Sequence, residues 1–146
     1  LITYSKDKIK FNILGLYNEE PKWNYDFNNE IMSSKTALNL SRGGPSKYAS
    51  SNRIASLMGN GMLTFIDEKT KFHEFFKKGE IITYKNEIDL IDKLLSIKDN
   101  EKELIRRAKL AKKNYFKYFE NTIISDFIIS KTFNIRNKYK YIWDNK

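Results

Sequence analysis

The segment from residue 35 to residue 67 constrains the fold of this chain more than any other part of the sequence. A short apolar strand, Thr36 to Leu40, runs into the loop Gly43-Gly44-Pro45, which cannot continue a strand. A second apolar strand, Met62 to Ile66, ends at Asp67, and a helix fits between the two strands. The segment therefore predicts a strand–loop–helix–strand unit, which is typical of parallel sheets with right-handed crossovers.

The helix of this unit has a start signal and a stop signal. Its N-terminus is capped by one of three neighbouring residues, Ser50, Ser51 or Asn52. A buried stripe at helical spacing is predicted at Ile54, Leu57 and Met58, and Gly59-Asn60-Gly61 ends the helix. Parallel α/β folds bind ligands at the carboxyl ends of strands, beside helix N-termini. The loop and the helix start are therefore the first place to expect a bound anion.

The remaining sequence continues the alternation of strands and helices. Before the central unit, we predict a strand at Lys10–Leu14 and a helix at Asp26–Ser34 that buries Phe27, Ile31 and Met32. After it, we predict a short helix or turn at Thr70–Lys77 with core residues Phe72, Phe75 and Phe76, then a strand at Glu80–Tyr84. Three further helices are predicted, capped by Asn86, by Asn100 and by Asn121 or Thr122. Their predicted buried residues are Ile88, Ile91, Leu94 and Leu95; Leu104, Ile105, Ala108, Ala111, Tyr115 and Phe119; and Ile124, Phe127, Ile128 and Ile129.

This order of elements predicts an α/β fold with a parallel, Rossmann-like sheet and flanking helices. We expect a domain over residues 1–133 and a basic, aromatic tail over residues 134–146. Four strands are few for a complete doubly wound domain, and the chain starts with Leu1. The sequence is therefore interpreted as a fragment of a longer protein.

The net charge of +9 points to anionic partners. Residues 104–118 contain six cations and no acid, and the tail is also basic. Such surfaces attract nucleic acid, anionic lipid or anionic substrates. The alternative is a solvated helix face in a Lys-rich composition. Cysteine is absent, and no apolar run approaches the roughly 20 residues that span a bilayer.

The ordered series of segments resembles a known family. The matching pieces are SKTALNLS, SSNRIASLMGNG, LTFID, FFKKGEIITY, EIDLIDKL and ELIRRAKLAKKNYFKYF. Together they resemble the nucleotide-sugar-binding, C-terminal half of GT-B glycosyltransferases, in particular the glycosyl transferases group 1 and CgeB-like spore-maturation families. The similarity spans residues 10–133, and the tail looks like the closing helix of that fold.

The resemblance implies a hexosyltransferase-like enzyme with two Rossmann-like domains. This chain would bind a nucleoside-diphosphate sugar, and a missing N-terminal domain of the same protein would hold a glycan, protein or lipid acceptor. The fragment alone would then be inactive. No cofactor and no metal are implied, because basic side chains and helix N-termini stabilise the leaving diphosphate. No specific nucleic acid is expected, and the location is cytoplasmic or peripheral at the inner membrane face.

The same resemblance assigns the diphosphate site to the loop and the helix start. Its candidate residues are Arg42, Gly43, Gly44, Ser50, Ser51, Asn52 and Arg53. Glycines allow close approach of the backbone to a phosphate, and a guanidinium matches the geometry of phosphate oxygens. The alternative is structural: the serines and Asn52 only cap the helix, the glycines only form a turn, and Arg53 makes an ion pair.

Two further positions are relevant to the ligand. Ser56 stands where related enzymes commonly carry a Glu that bonds the ribose hydroxyls, and it cannot accept two hydrogen bonds as a carboxylate does. Asp67 follows a strand at the ligand edge and either binds a sugar hydroxyl or starts the next turn. His73, the single His, has no second His or Cys for a metal site and is interpreted as a structural or surface residue.

Two functions follow from these observations. The first is a glycosyltransferase domain that binds a nucleotide sugar. The second is a catalytically degenerate binding module that contacts nucleic acid or an anionic surface through its basic helices. Salt dependence distinguishes them, because binding by surface charge falls steeply with salt and shows no preference among nucleotides.

Overall fold

The structure, a computed structural model, describes residues 9–13, 18–40 and 44–144. In these residues the helices are α1 (Asn24–Ser33), α2 (Asn52–Gly59), α3 (Glu87–Lys98), α4 (Glu101–Phe119) and α5 (Asn121–Phe133). The strands are β1 (Thr36–Asn39), β2 (Leu63–Asp67) and β3 (Ile82–Tyr84), and two short 3-10 helices occupy Glu68–Thr70 and Phe72–Phe75.

The three strands form a parallel sheet in the order β1-β2-β3. Thr36 pairs with Leu63, and Phe65 pairs with Ile82. The central strand β2 is buried from Leu63 to Ile66, because helices cover both of its faces. The α/β class and the parallel sheet predicted from the sequence are therefore confirmed.

The core lies on both faces of β2, and α4 contributes buried residues to it on each face. On one face, Ile66 packs with residues of α2 and of the C-terminal half of α4, which include Ile54, Met58, Ala111, Tyr115 and Phe119. On the other face, Leu63 and Phe65 pack with β3, α3 and the N-terminal half of α4 through Ile82, Leu90, Ile97, Leu104 and Ala108. Helix α4 is thus common to both clusters.

The caps agree with the sequence at three helices and differ at one. The side chains of Ser51, Asn86 and Asn100 each accept a hydrogen bond from a backbone N–H in the first turn of the following helix. The predicted caps Asn121 and Thr122 are wrong, because α5 begins directly after Glu120, whose side chain makes no capping bond.

The predicted strand Lys10–Leu14 is wrong in its described part, residues 10–13, which have no regular secondary structure. Among the described residues, β1 pairs only with β2, so this segment lacks a strand to join. Instead, Asn12 Nδ2 donates a hydrogen bond to Ser34 Oγ at 3.1 Å and ties the segment to the end of α1. Leu14 lies outside the described residues.

Several apolar residues predicted to be buried are exposed. Met32 is 68% exposed and Ile88 is 72% exposed. The other exposed members of the predicted core are Ile105, Ile124, Ile128 and Ile129. In α3 the buried face is centred on Leu90, Ile91 and Ile97, because the helix packs against both β3 and α4.

The tail does not form the predicted closing helix: residues 134–144 contain no helix. It folds back along α5 and is held by one carboxylate. Asp126 Oδ2 accepts hydrogen bonds from the backbone N–H groups of Lys138 and Tyr139 and from the Tyr141 hydroxyl. Tyr141 is only 2% exposed, and Trp143 stacks on Phe119 with ring centroids 5.5 Å apart.

Candidate functional site

The carboxyl edge of the sheet is formed by the ends of all three strands. Asn39 ends β1 and pairs with Ile66, while Asp67 ends β2 and pairs with Tyr84 at the end of β3. Helix α2 starts beside β1, with which it is in contact. In open parallel sheets, ligands bind at this edge.

Ser51 joins the start of α2 to the end of β1. Its Oγ accepts a hydrogen bond from the backbone N–H of Ile54 at 3.3 Å and donates to Asn39 Oδ1 at 3.4 Å. Asn39 is buried, although it is polar. The first turn of α2 is therefore fixed at the ligand edge, where its backbone N–H groups and the helix dipole favour an anion.

Arg53 contacts the loop that follows β1. Its Nη1 donates to the carbonyl oxygen of Leu40 at 2.6 Å, and the side chain is exposed. The structural alternative predicted an ion pair for Arg53. The structure shows a hydrogen bond to a main-chain carbonyl instead. A guanidinium carries five N–H donors, and this bond uses one. The side chain therefore fixes the loop and also brings a permanent positive charge to the edge.

The other predicted diphosphate residues differ in what the structure shows of them. Arg42 and Gly43 lie outside the described residues. Gly44 is exposed at φ +111°, and a Cβ built there meets nothing within 4 Å. A glycine is therefore favoured at position 44 because of the positive φ angle, and not because a larger side chain would lack space. Ser50 and Asn52 are exposed at the start of α2.

Ser56 and Asp67 both make local hydrogen bonds. Ser56 Oγ donates to the carbonyl oxygen of Asn52 at 3.1 Å, one turn earlier in α2. Asp67 Oδ1 accepts from the backbone N–H of Lys69 at 2.8 Å and caps the first 3-10 helix. Asp67 therefore starts the next turn, as the structural alternative predicted, and its carboxylate keeps further lone pairs for a ligand.

Tyr84 is a member of this edge that the sequence analysis missed. Burial raises the pKa of the Tyr84 hydroxyl, and the negative charge of nearby Asp67 raises it further. The neutral hydroxyl can both donate and accept a hydrogen bond. Asn39 was missed as well, and the available signal was a polar residue at the end of an otherwise apolar strand.

The loop between β1 and α2 is tied to the turn after β2. The backbone N–H of Tyr48 donates to the Thr70 carbonyl oxygen at 2.7 Å, and the Tyr48 hydroxyl donates to Glu74 Oε2 at 2.7 Å. Lys47 Nζ lies 4.8 Å from the centroid of the Tyr48 ring. These contacts place a second cation on the loop that leads into α2.

Two cavities of the described surface lie away from this edge. One is lined by residues of α1 and of the segment before it, and the other by residues of the tail. The assignment of the ligand edge therefore rests on topology and on the start of α2. Among the described residues, no group of three or more His, Cys, Asp or Glu side chains is arranged to hold a metal ion. None of the described helices has the length and apolar character needed to cross a membrane.

A parallel sheet whose strand ends meet a capped helix N-terminus defines the class of Rossmann-like α/β domains. Residues 2–122 match the sequence model of the family described as glycosyl transferase-like, and the chain belongs to that family. No curated protein and no solved structure matches this chain significantly. The family supports glycosyl transfer as the general role of the domain.

Proposed function

We propose that this domain binds a nucleoside-diphosphate sugar at the carboxyl edge of its sheet and serves transfer of the sugar to an acceptor. The observation that carries the proposal is the start of α2, which Ser51 fixes against the end of β1 within a glycosyl transferase-like chain. A helix N-terminus held at this edge provides N–H donors where a diphosphate would lie.

The diphosphate is the group that this edge would stabilise during transfer. As the bond between the sugar and the diphosphate breaks, negative charge grows on the leaving oxygen. Preorganised donors and cations at that position lower the barrier. In the proposed site these are the first turn of α2, the glycines of the loop, Arg42 and Arg53. The Arg53 side chain already contacts the loop, so its charge needs little rearrangement.

The remaining parts of the donor would lie further along the edge. Ser56 is proposed to meet the ribose, where its hydroxyl oxygen can accept one hydrogen bond while its proton is donated to Asn52. Asp67 is proposed to accept a hydrogen bond from a sugar hydroxyl. Tyr84 adds a polar group beside Asp67, and Asn39 adds one at the end of β1, where it contacts Ser51.

The finer assignment follows the resemblance described above. We propose a metal-independent GT-B enzyme of the CgeB-like branch, with this domain as its donor-binding half. The acceptor, a glycan, protein or lipid, would lie on the other domain, so this domain alone would bind the donor but turn over little. A cytoplasmic location, or one at the inner face of a membrane, is consistent with a nucleotide-sugar substrate.

A second candidate function is favoured by Ser56, which replaces the carboxylate that related enzymes offer to the ribose. In this alternative the domain keeps the fold, has lost transfer, and acts as a binding module through its basic helices. The same titrations separate the two candidates, because a module of this kind would not discriminate among nucleotides.

The test is calorimetric titration of the chain with UDP, GDP, ADP, dTDP and their sugars. We expect saturable binding with a preference for one base. Arg53→Ala should weaken binding by about 10- to 100-fold, since a hydrogen bond to a charged group contributes about 1.5–3 kcal/mol.

Arg106→Ala is the matched control, because it removes the same charge from an exposed position on α4. It should leave the affinity unchanged. Equal losses in the two variants, or equal affinity for all diphosphates and for inorganic phosphate, would contradict the proposed site.

A further inference from the structure

The solvent face of α4 carries a straight row of positive charge. Lys102, Arg106, Lys109, Lys113 and Lys117 are all exposed and follow one another at intervals of three or four residues. This spacing places them on one side of a helix, in a row about 22 Å long. Between Leu104 and Phe119 the helix contains no acidic residue.

One cation of the row is compensated within α4. Arg106 forms a two-bond ion pair with Glu103, with Nε–Oε2 and Nη2–Oε1 distances of 2.7 Å. The elements that α4 contacts, namely α2, α3, β2 and α5, pack on its opposite, buried side. In the described part of the chain the row therefore faces outward.

Apolar side chains accompany these cations. Leu110 is 38% exposed, Ile105 is 41% exposed and Phe116 is 47% exposed. By helical spacing, Leu110 lies next to Arg106 and Lys113, while Ile105 and Phe116 lie along one margin of the row. Partly exposed apolar side chains beside a row of cations form a mixed surface, which fits a partner that offers both negative charge and an apolar layer.

We propose that this face of α4 docks on an anionic lipid bilayer. A bilayer surface is planar, so it can touch a straight row of cations along its whole length. Its mobile headgroups adapt to the spacing of the cations, and its interface accepts the exposed Ile105, Leu110 and Phe116. A nucleic acid backbone follows a helical path and makes no use of the aliphatic side chains. The docking is independent of the proposed glycosyl transfer, because no residue of the ligand edge takes part.

The test measures co-sedimentation of the 146-residue chain with vesicles of phosphatidylcholine, with and without about 30% phosphatidylglycerol. We expect binding only to the anionic vesicles, and weaker binding at higher salt. Each cation near an anionic surface contributes about fivefold to partitioning, so Lys109→Gln, Lys113→Gln and Lys117→Gln together should lower it by about 100-fold.

A matched control removes three exposed lysines outside α4, one in the first 3-10 helix and two in the segment after the second. Lys69→Gln, Lys77→Gln and Lys78→Gln change the net charge by the same amount and should reduce partitioning far less. Leu110→Gln keeps the charge and should lower binding to vesicles several-fold. Circular dichroism of each variant verifies that the helices are retained.

Three results would overturn the proposal. The first is no binding to anionic vesicles by a folded chain. The second is an equal loss of binding in the two triple variants, which would make the attraction a property of net charge alone. The third is tighter binding to a DNA or RNA duplex that displaces the vesicles and is insensitive to Leu110→Gln, which would assign the row to nucleic acid.

Discussion

Removing the hydroxyl of Ser51 should destabilise the junction between β1 and α2. This one side chain caps the helix through the N–H of Ile54 and also reaches Asn39 at the end of the neighbouring strand. Ser51→Ala removes both contacts and leaves the fold of the loop otherwise unaltered. The expected result is a less stable domain whose helix start is no longer held at the ligand edge.

The magnitude follows from the two contacts. Loss of a Ser N-cap costs about 1 kcal/mol, within a range of about 0.5–2 kcal/mol. The bond to Asn39 is long at 3.4 Å, so its contribution should be below the ~1 kcal/mol of a good hydrogen bond. The free energy of unfolding should therefore fall by about 1–2 kcal/mol. For a chain of this size the melting temperature should fall by about 2–8 °C.

The assay is urea unfolding followed by circular dichroism, together with thermal melting. Ser51→Gly separates the two contributions, because glycine is itself an acceptable N-cap and costs only a few tenths of a kcal/mol there. Ser46→Ala is the matched control, since Ser46 is exposed in the same loop.

The reasoning would be refuted by equal losses in Ser51→Ala and Ser46→Ala. It would also be refuted if Ser51→Ala changed the free energy of unfolding by less than about 0.3 kcal/mol, because that is below any measured N-cap.

Two further predictions concern the core and the tail. Phe65→Ala, at the centre of β2, should cost about 3–5 kcal/mol in urea unfolding, whereas Ile88→Ala on the exposed face of α3 should change stability by less than about 0.5 kcal/mol. A loss in Phe65→Ala as small as that in Ile88→Ala would place Phe65 outside the core. The Asp126 carboxylate has its pKa lowered, first by the hydrogen bond from the Tyr141 hydroxyl and then by two backbone N–H groups of the tail, while partial desolvation opposes them. Because the lowered pKa favours the ionised form in the folded state, the stability that Asp126 contributes is present above its unfolded pKa of about 3.9 and is lost as the pH falls through the folded pKa. Trp143 fluorescence should therefore report loosening of the tail below about pH 4, and Asp126→Asn should show the loosened signal at neutral pH without this pH dependence; a variant with the wild-type profile would contradict the role of Asp126.

The sequence predicted the central part of the fold well because its signals are local. The apolar strands before and after α2 are short, are separated from α2 by glycine-containing segments, and lie in adjacent positions of the sheet. The caps Ser51, Asn86 and Asn100 each act within three residues of their own position. Signals of this kind do not depend on distant contacts, so they can be recognised without the structure.

The errors occurred where tertiary contacts decide. In α3, apolar residues occupy more than one face of the helix, and only packing against β3 and α4 selects Leu90 and Ile97 over Ile88. The segment at residues 10–13 alternates like a strand but has no partner among the described strands. The tail is basic and aromatic in sequence, yet its conformation is set by Asp126, a residue of another element.

The sequence predicted where the candidate residues lie in the fold, but it did not point to two of their polar neighbours. Topology put the loop, the start of α2 and Asp67 at one edge, and these residues lie there in the structure wherever it describes them. Asn39 was missed because the predicted strand Thr36–Leu40 continued past it, whereas Tyr84 was predicted as the last residue of its strand but was not considered as part of the site. The bond between Arg53 and the Leu40 carbonyl was also beyond the sequence, since a main-chain acceptor leaves no signature in residue type.

The two-sided packing of α4 has a consequence for hydrogen exchange. Since α4 completes the core on both faces of β2, amide hydrogens of Leu63–Ile66 should become accessible only when the whole domain opens. Their exchange would then report the global free energy of unfolding. No residue of helix α5 belongs to either cluster, so α5 can open while β2 and α4 stay packed. The amide hydrogens of β2 and α4 should thus exchange slowly as one unit, and those of α5 should exchange faster.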